Sequence, residues 1–358
     1  MKSANILALL LLVAILTNSC KKEPHQPLPP SPAELSNGLM VLNEGLFNMN
    51  NSTLTWYDFA TGKSQTDYFE IRNSRRLGDT GNDIGIYGSK IYIVVSLSGT
   101  VEVLDRHTGK SIRQISLSPT NGSRLPRSVA FGAGMAFVCA FDGTVTAIDT
   151  TSLQPVRTIT VGRNPEDIAV MNNKIYVSNS GGLDFPNYDS TISVIDIASF
   201  QEVKRITVRI NPSFLHHGPC GKLFVISRGN YADIKSCLQV IDTQTDQLVH
   251  TFEGFEPVNM AIHGDTAYVY TNNHTGTAQS VLMLCLSTWQ VIQPYFIADA
   301  TTIETIYGIA IDPVSGNIFI ADARGFVNQG RVLFFDTNGA LLKTIPTGLN
   351  PGRMMIIP

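Results

Sequence analysis

The chain has 358 residues, 43% of them hydrophobic and only 15% charged, with 29 glycines and 18 prolines. That balance suits one large, turn-rich β domain and excludes a disordered or mainly helical chain. The formal net charge is −3 and no block of Lys or Arg lies inside the domain. Nucleic acid is therefore set aside as a partner, for want of the positive surface it needs.

At the N-terminus Lys2 precedes a nearly unbroken apolar run, Ala4 to Leu16, which is too short to span a bilayer. A positive start, a short apolar region and the small polar Thr17, Asn18 and Ser19 describe an export signal over residues 1–19 that is cleaved. The Cys20 that follows is similar to the lipobox cysteine of bacterial lipoproteins, with Thr17 standing where the usual pattern has Leu. The resemblance implies a diacylglyceryl group on Cys20 and attachment to the outer membrane, at the cell surface. The next 16 residues, KKEPHQPLPPSPAELS, are expected to stay extended as a tether; at about 3.1 Å per residue they reach up to roughly 50 Å.

From Asn37 on, a repeat sets the fold. Seven segments alternate apolar and polar residues and then stop at a turn: STLTWYD, GTVEVLD, GTVTAID, STISVID, SCLQVID, SVLMLC and GRVLFFD. Their last residues, Asp58, Asp105, Asp149, Asp196, Asp242, Cys285 and Asp336, are 47, 44, 47, 46, 43 and 51 residues apart. Alternation at period two marks strands, and a closing Asp that accepts bonds from the next amides starts a tight turn, so these carboxylates are turn formers. Each period reads as four short strands with no helix signal; in the fourth copy these are DIAV after Pro165, KIYVSNS, STISVID and EVKRITV. The expected fold is all-β, a seven-bladed propeller over residues 37–358. Its first copy, GLMVLNEG, STLTWYD and KSQTDYFEI, lacks an innermost strand, and the last eight residues, PGRMMIIP, are a spare that supplies it. Cys139, Cys220, Cys237 and Cys285 are expected to be buried free thiols, since no CxxC or paired His/Cys spacing calls for a metal.

KIYVSNS and its near copies KIYIVVS, MAFVCA, KLFVISR, TAYVYTN, NIFIADA and LMVLNEG resemble the YVTN repeats of surface-layer and YncE-like propellers. VLNEGLFNMNNSTLTWYD and YGIAIDPVSGNIFIADARGFVNQG are similar to surface lipoproteins of Bacteroidetes, some of which capture cobalamin and pass it to an outer-membrane transporter. That role is what the resemblance implies.

Loops between second and third strands should share a face with the starts of the innermost strands. The long ones, EGLFNMNN, SGGLDFPNY, RGNYADI and ARGFVNQG, carry Phe47, Asn48, Phe185, Tyr188, Tyr231 and Phe326, and aromatic rings beside Asn and Gly suit binding. The inner-strand starts contribute Asn82, Asp83, Arg127, Glu166, Asp167, Phe214, Asn259, Tyr307 and Arg353. Mixed charge around such a mouth fits a neutral or zwitterionic small molecule, although any one of these charges can equally be spent on a neighbour.

No GxSxG, HExxH, phosphate loop or EF-hand loop occurs, so no catalytic residue is assigned and no cofactor is expected. His216 and His217 are adjacent on a strand and point to opposite faces, and His274 reads as a solvated loop residue. Three readings stand: a capture protein for a small molecule such as cobalamin working with a transporter, a protein-interaction or scaffold propeller, and a lactonase-like hydrolase whose cation would sit among Asp83, Glu166, Asp167 and Asn259.

Overall fold

The computed structural model describes residues 35–118, 124–271 and 280–358. The export signal, Cys20, the tether up to residue 34 and His274 lie outside them; at the end of the expected tether Leu35 is instead buried in the core, its amide donating to the His107 carbonyl at 2.6 Å. Seven antiparallel four-stranded sheets form the blades of a propeller. The innermost strands, Gly81–Tyr87, Pro126–Gly132, Pro165–Met171, Pro212–His217, Pro257–His263, Ile306–Ile311 and Pro351–Ile357, neighbour one another around the ring.

Closure follows the expectation. Pro351–Ile357 pairs antiparallel with Gly38–Asn43, Ile357 opposite Gly38, so one blade holds both ends of the domain. Ile357 is fully buried with Met40, Leu54 and Trp56. The ring thereby hides the two edges that would otherwise present unpaired backbone.

Second and third strands are buried along almost their whole length, as in Lys90–Val95 and Thr100–Asp105. Period-two alternation therefore does not divide core from solvent here, because adjacent blades cover both faces. The polar positions are satisfied sideways. Fully buried Glu102 accepts bonds from Ser111 Oγ and Arg75 at 2.8 Å for the latter, and Asn179 Nδ2 donates to Thr191 Oγ1 and Ser193 Oγ at 3.0 and 2.9 Å. Asn43 does the same to Thr53 and Thr55. These Asn side chains fill the space beside Gly162 and Gly348: a Cβ would lie 2.3 Å from Asn179 Cγ and 2.8 Å from Asn43 Nδ2 respectively, so only glycine fits.

The closing aspartates act as turn formers. Asp149 Oδ1 accepts from the Ser152 amide at 2.6 Å and Asp196 Oδ1 from the Ser199 amide at 2.8 Å; Asp58, Asp105, Asp242 and Asp336 make the corresponding bonds. The backbone and hydroxyl donors hold Asp149 and Asp196 below the usual carboxylate range.

Two expectations are corrected. KSQTDYFEI is not a continuous outer strand: Ser64–Gln65 pairs briefly, and Tyr68–Asn73 forms a short helix, α1. Tyr68 and Phe69 bury their rings from that helix, and packing decides over strand propensity. Of the cysteines, Cys139 and Cys237 are buried, whereas Cys220 is exposed in the Pro219–Gly221 turn and Cys285 is half-buried; all four are free thiols.

Candidate functional site

The first residues of every innermost strand follow one local plan. In all seven blades a bulge falls two residues in, between Gly81 and Asp83, Pro126 and Ser128, Pro165 and Asp167, Pro212 and Phe214, Pro257 and Asn259, Ile306 and Gly308, and Pro351 and Arg353. A bulge places two residues against one of the partner strand and re-aims side chains. The extra residue, Asn82, Arg127, Glu166 or Tyr307, turns toward a cavity at the mouth of the ring, while Asp83, Ser128 and Asp167 stay in the ring wall.

That cavity has a volume of about 520 Å³ and takes lining residues from all seven blades, among them Glu44, Asn82, Arg127, Glu166, Phe214, Tyr270, Tyr307 and Arg353. Its size falls in the range of about 300–1,000 Å³ typical of small-molecule sites. Nine of the expected residues line it: Asn82, Arg127, Glu166, Phe214, Tyr231, Asn259, Tyr307, Phe326 and Arg353. Phe326 meets Tyr307 edge-on at 5.3 Å between ring centres.

The other expected residues sit elsewhere. Asp83 and Asp167 lie in the wall as staples between blades. The single Ser128 hydroxyl sits between Asp83 Oδ2 at 2.7 Å and Asp167 Oδ1 at 2.6 Å and donates to one of them at a time, while Asp83 Oδ2 also accepts from the Val129 amide at 2.9 Å. Asp167 accepts from the Ile168 amide at 2.9 Å and the Leu215 amide at 3.0 Å and shares the Ser128 hydroxyl with Asp83, joining three blades through one carboxylate. Phe47 and Phe185, 71% and 73% exposed, and Asn48 stand outside the lining rather than folding over their own loops. Tyr188 links that outer group to the cavity, its ring 6.1 Å from Phe185 and 6.3 Å from Tyr231.

Ion pairs organise the floor. Arg127 Nη2 lies 2.6 Å from Glu166 Oε1, and Arg228 Nη2 is 3.9 Å from the same oxygen. Burial alone would raise Glu166, but Arg127 and Arg228 outweigh it and hold the carboxyl below its usual range. Arg353 Nε is 3.5 Å from Asp83 Oδ1, yet burial still lifts the Asp83 carboxyl. Burial likewise raises Glu44, which accepts a bond from the Tyr307 hydroxyl. His216 shares a 2.8 Å bond with Asn259 Oδ1, and burial beside Arg353 lowers it to about 4. It is neutral at pH 7. Among the described residues no three His, Cys, Asp or Glu side chains are grouped to hold a metal ion; Asp83, Glu166, Asp167 and Asn259 are each engaged as above.

Sequence reasoning missed Glu44, Arg228, Lys235, Glu256 and Tyr270. Glu44 and Arg228 directly follow the second strands Gly38–Asn43 and Lys222–Ser227, so they begin the same long loops whose aromatic residues drew attention.

The sequence model of the family described as "Domain of unknown function (DUF5074)" matches residues 37–350. No curated protein matches the chain. Among solved structures, a quinonprotein alcohol dehydrogenase-like protein from Bacteroides thetaiotaomicron is similar with a TM-score of 0.68 and 16% identity, over 91% of this chain and 80% of that one. Hydrazine synthase of Kuenenia stuttgartiensis is similar at 0.63 and 18%, over 76% of this chain and 88% of that one. The computationally designed Ika8 protein is similar at 0.58 and 15%, over 91% and 98% respectively. At these identities the likeness is one of fold.

Proposed function

We propose that this chain, which belongs to the DUF5074 family, is a cell-envelope propeller that binds a small molecule in the cavity at the mouth of its ring. The observation that carries the reading is the convergence of five aromatic rings, Phe214, Tyr231, Tyr270, Tyr307 and Phe326, with three arginines in one cavity fed by every blade. Concave, partly apolar sites with a few fixed polar groups are where small ligands bind. The reading is of binding rather than catalysis: the carboxylates nearest the floor are spent on arginine, serine and backbone partners.

In its finer form the proposal is that the ligand is cobalamin, taken up at the cell surface and passed to an outer-membrane transporter, with Cys20 lipidated as the anchor. This form rests on the resemblance of the VLNEGLFNMNN and YGIAIDPVSGNIFIADARGF segments. Titration of the purified chain with cobalamin, and separately with calcium, while following thermal unfolding tests it. A ligand at 100 times its dissociation constant adds about 2.7 kcal/mol. A shift with cobalamin supports the finer form; a shift with calcium alone favours the hydrolase reading; no shift with either removes both.

A second reading has its own observation. Phe47, Met49, Leu183, Phe185 and Val327, in three of the long loops, are all more than half exposed, and exposed apolar side chains suit a protein partner. Phe47→Ser combined with Phe185→Ser abolishes partner capture on that reading and leaves small-ligand binding intact.

A further inference from the structure

Seven charged side chains line the cavity: four cations, Arg127, Arg228, Lys235 and Arg353, against three carboxylates, Glu44, Glu166 and Glu256. Burial raises the pKa of the Glu44 carboxyl, which accepts a bond from the Tyr307 hydroxyl. The cations are not equivalent. Arg127 is held by Glu166 at 2.6 Å and stacks 4.4 Å above the Phe141 ring centre. Arg228 and Arg353 instead flank one ring, each guanidinium carbon 5.2 Å from the centre of Phe214.

Both guanidiniums keep donors in hand. A guanidinium carries five N–H groups in a rigid fork. Arg228 reaches Glu166 only at 3.9 Å, beyond hydrogen-bond range, because that oxygen is already taken by Arg127, and its other partner is the Tyr231 hydroxyl. Arg353 touches Asp83 through Nε alone, at 3.5 Å, and Asp83 is occupied on its other oxygen by Ser128 and Val129. Two forks fixed beside the same aromatic ring and lining the same cavity match a planar or tetrahedral oxyanion.

On the reading that this cavity is the ligand site, we infer that its ligand carries a compact oxyanion, a carboxylate or a phosphate, next to a planar ring. Arg228 and Arg353 hold the oxyanion, and Tyr231, Tyr307 and Phe326 stack on or edge the ring.

The test uses the full chain in detergent micelles, titrated calorimetrically with phenyl phosphate, benzoate and the uncharged benzyl alcohol. At least one anion binds at least tenfold more tightly than benzyl alcohol, and which one wins tells phosphate from carboxylate. Arg228→Gln and Arg353→Gln each weaken that anion at least tenfold, Arg353→Lys weakens it less than Arg353→Gln, and Arg205→Gln, on an outer strand, has no effect. If Arg353→Gln fails to fold, Arg228→Gln decides alone. Equal binding of benzyl alcohol, or indifference to Arg228→Gln, overturns the anion inference and leaves the cavity a ligand site. Absence of binding by all three probes at 10 mM, a concentration ~100-fold above a 0.1 mM constant, overturns the anion inference, and absence of cobalamin binding as well overturns the site.

Discussion

Replacing Asp167 by Asn keeps the shape of the side chain and removes one of its two acceptor oxygens. In the native ring one carboxylate serves the Ile168 and Leu215 amides and shares the Ser128 hydroxyl with Asp83, bridging three blades, with only 6% of Asp167 exposed. The Asn amide nitrogen then faces a backbone donor, the Leu215 N–H in one orientation and the Ile168 N–H in the other, at a buried position. A buried donor left without an acceptor costs about 1–3 kcal/mol, and two opposed donors bring the expected loss to about 3 kcal/mol. With a urea m-value of about 3 kcal/mol per M for a domain of this size, the unfolding midpoint falls by roughly 1 M with m unchanged. Asp149→Asn is the control, since Asn serves a solvent-facing turn as well as Asp does, and its midpoint stays at the wild-type value. A midpoint for Asp167→Asn equal to that of Asp149→Asn refutes the staple and with it the claim that the carboxylates of the ring wall are structural.

Three further outcomes follow from the same geometry. Removing residues 351–358 takes away the strand opposite Gly38–Asn43 and the buried Ile357, so the truncated chain loses its cooperative melt; Ile357→Ala alone costs about 2–4 kcal/mol in urea unfolding. His216 has its folded pKa depressed from 6.5 to about 4, so its contribution is intact above the unfolded value and is lost as pH falls through that window. Its linked loss is up to about 3 kcal/mol; unfolding curves from pH 7 to 4 become flatter in His216→Gln, and identical slopes would falsify the assignment. Toward a thiol reagent under native conditions, exposed Cys220 reacts first, while buried Cys139, its thiol pushed well up by burial, reacts only after unfolding; Cys285 retains reactivity at lower pH because Ser287 and Thr288 lower its pKa.

What the sequence made legible follows from where the physics is local. Six closing Asp residues and seven alternating segments are short-range signals, and they located every third strand, such as Thr144–Asp149 and Thr191–Asp196. The spare strand was legible because a repeat missing its first member at one end and carrying it at the other has one way to bury both edges. The helix α1 was not, since Tyr68 and Phe69 are set by contacts with the Trp56 side and Gly109 rather than by neighbours in sequence. In the candidate site, sequence identified which loops and strand starts meet but not which residue of each faces the axis. Bulges and side-chain partners decide that: the extra residue, such as Arg127 or Tyr307, turns into the cavity, whereas of the residues after the bulge Phe214, Asn259 and Arg353 also line it and Asp83 and Asp167 are held in the wall beside Ser128. A bulge depends on backbone pairing with the second strand, and nothing in the one-dimensional pattern of Asn82-Asp83 or Glu166-Asp167 marks which member turns outward.

The central claim is that the cavity at the ring mouth receives the ligand, and calorimetric titration of cobalamin into the wild-type chain and into Phe214→Ala combined with Tyr231→Ala tests it most directly. Both rings line the cavity, and losing about 1 kcal/mol of contact from each weakens binding roughly 30-fold. The account predicts saturable one-to-one binding by the wild type and that loss in the double variant. Saturable binding that the double variant retains unchanged would place the ligand elsewhere and contradict it.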